Sequence, residues 1–227
     1  MRLGLSSVRT IGDEVAERIA AGRPYISMED VARRAALTQP QLEALATAGA
    51  CGFDGDDRRR ALWAAGAVAQ GGPGRLPGVV VGQAAPPLPP MAAVEEVAAD
   101  LWATGLSPAH HPVEFARAAL AGRGVLRAVD LAAAEADRRV LVAGVVTHRQ
   151  RPATAQGITF LNLEDETGLV NVICSREVWA HHRRVARAAP ALIVRGRLER
   201  YDGVVNVVAD RLEALALAGR TTSRDFR

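Results

Sequence analysis

The chain has 227 residues, 28 basic and 25 acidic, and every basic residue other than histidine is arginine, which with the abundant alanine fits a GC-rich coding bias. Its two cysteines, Cys51 and Cys174, lie too far apart for a disulfide framework or a paired zinc-ligand spacing. No apolar stretch opens the chain as a leader or reaches the ~18 residues of a membrane span. These features predict a soluble cytoplasmic protein of one or two small domains, with no cofactor and no metal.

The first motif is VRTIGDEVAERI, from Val8 to Ile19. Apolar residues at Val8, Ile11, Val15 and Ile19 surround Gly12, and a helix is expected from Asp13. In a helix-hairpin-helix the tight turn uses such a glycine, and the N–H groups opening the second helix are free to meet a nucleic-acid phosphate. Thr10 stands where the first glycine of such hairpins usually lies, and Asp13, Glu14 and Glu17 add negative charge. A plain helical hairpin that packs for structure alone is the alternative reading.

Further helices are predicted over residues 27–36 with Ser27 as N-cap, over 39–48 with Thr38 and Gln41 as a capping box and Gly49 as terminator, and over about 57–70 with Leu62 and Trp63 on the apolar side. GGPGRLPGVVVGQAAPPLPP, residues 71–90, holds half of the twelve prolines and reads as a linker. Helical patterns resume at 91–104 and 113–121.

From Arg139 the period changes to two. RVLVAGVVTHRQ, GITFLNLED, GLVNVIC, ALIVRGRLER and VVNVVADRLEAL form five strand-like segments. One predicted helix, about 177–188, falls between the third and fourth. That order belongs to an OB-fold, a small Greek-key barrel whose second and third strands face nucleic acid. Gly144 and Gly196 fall mid-strand, where a closed barrel coils sharply. The expected fold class is α+β, with a helix-hairpin-helix region (1–70), a Pro/Gly-rich linker with helices (71–136), the OB-fold (137–217) and a tail (218–227). Net charge by region is 0, −2, +3 and +2, so a polyanion is to be sought in the C-terminal part.

Glu164, Asp165 and Glu166 sit between the second and third strands. A two-cation catalytic site needs carboxylates converging from separate elements, whereas a hairpin loop needs polar residues and a glycine, here Gly168. A solvated turn is expected. Alternation then turns Leu161, Leu163, Val170 and Val172 inward, and Phe160, Asn162 and Asn171 outward. Phe160 beside Asn171 would make a stacking platform for an unpaired base, with an amide at its edge. In the other possible register Phe160 belongs to the core. Arg149 and Arg151, placed in the loop after the first strand, and Arg195 and Arg197 on the fourth, could track phosphates. The adjacent His181 and His182 are expected to diverge on their helix, and so not to share a metal with Cys174.

RLGLSSVRTIG, SMEDVARRAALTQPQLEALATAGACGFDG, DLWATGLSPAHHPVEF, GVVTHRQRPATAQGITFLNLEDETGLVNVIC and the final SRDFR together resemble the C-terminal part of bacterial C-family error-prone DNA polymerases, paralogues of the DNA polymerase III alpha subunit. THRQRPAT, FLNLEDETG and SRDFR are the most specific of these. The resemblance implies a damage-inducible, translesion-type enzyme working with mutasome accessory proteins and the sliding clamp. It also implies that the helix-hairpin-helix region holds duplex product and the OB-fold holds single-stranded or primer-template DNA. The family's phosphoesterase-like domain, its palm with the catalytic aspartates and most of its fingers have no counterpart here, so a fragment without polymerase activity of its own is expected. A protein-interaction module with little DNA contact is the competing reading. Since similar barrels read tRNA anticodons, RNA is a lesser alternative.

Overall fold

The computed structural model describes residues 3–53, 57–69, 85–201 and 203–217, together with the backbone of 224–226. It divides into two compact units, Met1–Leu106 and Ser107–Arg227. Residues expected as one linker region, 71–136, thus fall on both sides of that division, and the 71–84 part of the expected linker lies outside the described residues. Among the described residues no helix is long and apolar enough to cross a membrane.

The first unit is helical because its sequence supplies caps at helical spacing. Helix α1 (Asp13–Ala21) starts from Gly12. In α2 (Met28–Arg34) the Asp30 N–H donates to Ser27 Oγ at 3.1 Å. In α3 (Gln39–Thr47) the Thr38 N–H donates to Gln41 Oε1 at 2.9 Å. Helix α4 (Arg58–Ala69) is followed by α5 (Ala93–Thr104), which ends on a left-handed Gly105, and Arg58 pairs with Asp100 at 2.7 Å across the two. The core gathers Ile11, Ile19, Leu42, Leu45 and Val68. One expectation is corrected. Helix α4 buries Ala61, Ala65 and Val68, and leaves Leu62 43% and Trp63 53% exposed, because the small side chains form the face that packs closely.

The hairpin turn also differs from expectation. Gly12 is extended, with φ −78° and ψ 171°, and the left-handed residue is Thr10, at φ 67°. A β-branched side chain in that region is strained.

In the second unit a short helix, α6 (Arg117–Gly122), leads to β1 (Val125–Leu126). The barrel follows: β2 (Arg139–Gln150), β3 (Thr159–Asp165), β4 (Gly168–Cys174), β5 (Ala191–Tyr201) and β6 (Val204–Ala214). Strand order β2-β3-β4-β6-β5, closed by β2 with β5 and by a parallel β4–β6 pair, gives the five-stranded OB topology. The predicted helix between β4 and β5 is two short ones, α7 (Arg176–His181) and α8 (Arg183–Ala188). The backbone of β7 (Arg224–Phe226) pairs in parallel with His148–Gln150.

Val142, Val146, Leu161, Leu163, Val172, Leu192, Val194, Leu198 and Val207 fill the barrel, each stabilising it by ~1.5–3 kcal/mol on burial. Outside, Ala143, Val145 and Ile193 are covered by Val113, Leu120 and Val125. Both mid-strand glycines mark close crossings: a methyl group at Gly144 would stand 2.7 Å from Glu164 O, and one at Gly196 would overlap Val208 O.

Gly144→Ala is therefore expected to cost ~1–3 kcal/mol in urea unfolding. Gly12→Ala, whose new methyl would have nothing within 4 Å, should leave stability unchanged. Thr10→Gly should raise it by up to ~1 kcal/mol by relieving the left-handed strain.

Candidate nucleic-acid interface

Glu164 and Asp165 end β3, and Glu166 opens the two-residue turn to β4, which is a built-in one. Asp165 is 3% exposed. Its Oδ1 accepts from Thr167 N (2.7 Å), Thr167 Oγ1 (2.7 Å) and Gly168 N (3.1 Å), while Oδ2 accepts from Ala128 N (2.8 Å) and Arg117 Nη2 (3.2 Å). Arg117 also donates to both Glu166 oxygens, at 2.6 and 2.9 Å. The expectation of a solvated turn is thus corrected for two of the acids: a guanidinium stands where a cation would, and the Asp165 and Glu166 carboxylates spend their lone pairs on the fold. Among the described residues no group of three or more His, Cys, Asp or Glu could hold a metal.

Leu161, Leu163, Val170 and Val172 point into the barrel, and Phe160 points out with 37% of its surface exposed. Cross-strand register builds two rows on that outer face. One runs Gln150, Phe160, Ile173, Val208 and the other His148, Asn162, Asn171, Asn206. An aromatic ring within an apolar row thus lies beside a row of three amides and an imidazole. Alternation located Phe160, Asn162 and Asn171, but Gln150, His148 and Asn206 entered only through the register.

The arginines sort into three groups. Arg149 lies within β2 and not in the loop expected from the sequence. A register shift between Val146 and His148 turns it inward, where it is 7% exposed. Its Nε donates to Ala186 O at 2.8 Å and its Nη2 to Ala189 O, so it holds the end of α8 against the barrel. Arg195 and Arg197 are exposed but matched. Arg195 pairs with Asp210 at 2.7 Å, while Arg197 pairs with Asp137 at 3.1 Å and with Glu199. Arg151 follows Gln150 on the chain and is exposed; its Nη2 and the Arg176 side chain flank Gly157. Neither Arg151 nor Arg176 has an ion-pair or hydrogen-bond partner among the described residues. Arg176, which the sequence did not single out, stands two residues beyond Cys174, the register partner of Thr159.

Gly12 opens α1, whose first turn carries exposed Asp13 and Glu14. The histidine rings do not diverge as expected: His181 and His182 meet edge to face at 4.7 Å. Burial pushes the Cys174 thiol up to about 11, far from a thiolate ligand.

A helix-hairpin-helix unit followed by a closed OB barrel defines a nucleic-acid-binding class of protein. A family model of the helix-hairpin-helix motif matches residues 1–61, and one of the OB-fold nucleic acid binding domain matches 140–215. Along its whole length the chain is homologous to error-prone DNA polymerases. It is 54% identical over 231 residues to that of Mycobacterium tuberculosis, 52% over 239 to that of Nocardia farcinica and 46% over 229 to that of Corynebacterium glutamicum. In each case all of this chain is covered and only 21–22% of the relative, so it spans about a fifth of their length. Among solved structures, asparaginyl-tRNA synthetase from Pyrococcus horikoshii aligns at 22% identity over 37% of this chain and 21% of that one, with a TM-score of 0.31, too low to carry an argument.

Arg149→Ala strands two buried carbonyls, and Asp165→Asn leaves the turn an Oδ1 acceptor but sets an amide NH2 against the Ala128 N–H and the Arg117 guanidinium, both of which donate to Oδ2. Each should lower unfolding stability by ~1–3 kcal/mol, measured by urea titration, whereas Arg151→Ala should leave it unchanged.

Proposed function

We propose that the chain is the nucleic-acid-binding portion of an error-prone, translesion-type DNA polymerase, and that the outer face around Phe160 holds unpaired template bases. The observation that carries this reading is the exposed Phe160 ring in register with Gln150 and Ile173, beside the row His148, Asn162, Asn171, Asn206. Any base can stack on an aromatic ring for ~1–3 kcal/mol. The amides offer donors and acceptors to base edges that only a single strand exposes. Arg151 and Arg176, which flank Gly157, supply positive charge for the backbone, that of Arg176 partly offset by Glu177. Arg195 and Arg197 contribute less, since their carboxylate partners offset their charge. Arg149 acts on this face by holding the barrel end.

In the same reading the N–H groups after Gly12 meet a duplex phosphate, weakened by Asp13 and Glu14. In this reading the chain serves damage-associated synthesis alongside the sliding clamp and mutasome proteins, and the cytoplasm is its place of action. No catalytic residue, cofactor or metal is assigned to it. A second reading, a protein-interaction module with little DNA contact, is favoured by the pairing of β7 with β2, since strand addition is a common way of docking extended segments.

Phe160→Ala should weaken oligo-dT binding by about tenfold or more with the barrel still folded. Arg151→Ala should weaken binding to all sequences and make its salt dependence shallower by ~0.7 in log–log slope, the value of one single-strand phosphate contact. Fluorescence anisotropy with DNA and RNA of one sequence measures both effects and the sugar preference. Parental affinity in both folded variants would give the interaction reading its place.

A further inference from the structure

We infer that α8 presents a second nucleic-acid surface on the barrel, separate from the Phe160 face and from the turn at Gly12, which takes the phosphate backbone of duplex DNA. At 100° per residue, Arg183, Arg187 and Arg184 fall within an arc of about 100° on this helix. Val185, Ala186 and Ala189 lie on the other side and pack against the barrel core. Arg149, bonded to Ala186 O and Ala189 O, fixes which side that is.

What distinguishes these arginines is the lack of counter-charge. On the strands, Arg139 and Arg195 share Asp210 (3.3 and 2.7 Å), and Arg211 shares Glu213 with Arg123, the residue that follows α6 (3.0 and 2.8 Å). Arg183, Arg184 and Arg187 are exposed, and none has an ion-pair or hydrogen-bond partner among the described residues. Three like charges on one short helix repel one another, a cost that a polyanion reverses.

The chemistry also selects the kind of polyanion. Residues 183–190, RRVARAAP, contain no aromatic ring and no amide, so what this surface offers a polyanion is the positive charge of its three guanidinium groups. Charge density then selects among polyanions. Over the ~9 Å length of a six-residue helix a B-form duplex presents about five phosphate charges, twice what one of its strands offers. The Phe160 face needs bases that are unpaired; the α8 face works best where they are paired.

The test uses the intact 227-residue chain, with a blunt DNA duplex of about twenty base pairs and oligo-dT of similar length titrated over a range of salt. In R183A/R184A/R187A, duplex affinity at low salt should fall by about tenfold or more, and the log–log salt slope should flatten by roughly 2.7, at ~0.9 per lost contact. Oligo-dT affinity should change less than about twofold on the account that this face is not its site. Thermal unfolding should be unchanged, and R184E alone, expected to act in the same direction, serves if the triple variant folds poorly. Unchanged duplex binding would overturn the inference. So would equal losses for duplex and oligo-dT, or polyglutamate competing as well as duplex. Phe160→Ala in the same titrations reports on the other face, so the two readings can fail separately.

Discussion

Everything on the barrel's outer face depends on how the Asp165 carboxylate is held. A carboxylate taken out of water is tolerated only when its lone pairs are filled, and Asp165 fills them from its own turn, from Ala128 N and from Arg117. The β3–β4 hairpin is thereby closed in one register, and the segment before the barrel is fastened to it. A slip of one residue would exchange the faces of both strands, sending Phe160 inward and Leu161 out. The carboxylates of Asp165 and Glu166 are held by the fold, and the turn they close decides which side chains face outward.

Much of this was legible in the sequence. Strand segments, the barrel order and the inward set Leu161, Leu163, Val170 and Val172 follow from a period of two, and the caps at Ser27 and Gln41 are local signals. Gly144 and Gly196 were recognisable as coiling points, although the backbone atoms they approach were not. The missed features share a physical cause in long-range or irregular geometry. Arg149 reads as a loop residue, and its inward place on β2 depends on a register shift after Val146 that breaks the alternation. Arg117 meets acids 48 and 49 residues away, which no local pattern reveals. Leu62 and Trp63 are the largest apolar side chains of α4, yet the smaller Ala61 and Ala65 allow the closer approach and take the packed side.

The arginines show how little net charge says about a surface. Those chosen from strand positions, Arg195 and Arg197, are matched by Asp210, Asp137 and Glu199, and Arg149 is spent on carbonyls inside the molecule. Positive charge without an ion-pair partner among the described residues collects instead at Arg151 and on α8. The modest excess of three positive charges is therefore distributed so that strand arginines stabilise the barrel and others remain for a polyanion.

The central claim is that unpaired bases stack on the Phe160 face. Its most direct test is photo-crosslinking of the intact chain to a single strand carrying halogenated uracil, followed by mass spectrometry of the joined peptides. The account predicts adducts within residues 148–162 and at Asn171–Ile173, with Phe160 among them. Adducts confined to the helical unit, or none on β3 and β4 while the strand is bound, would contradict it.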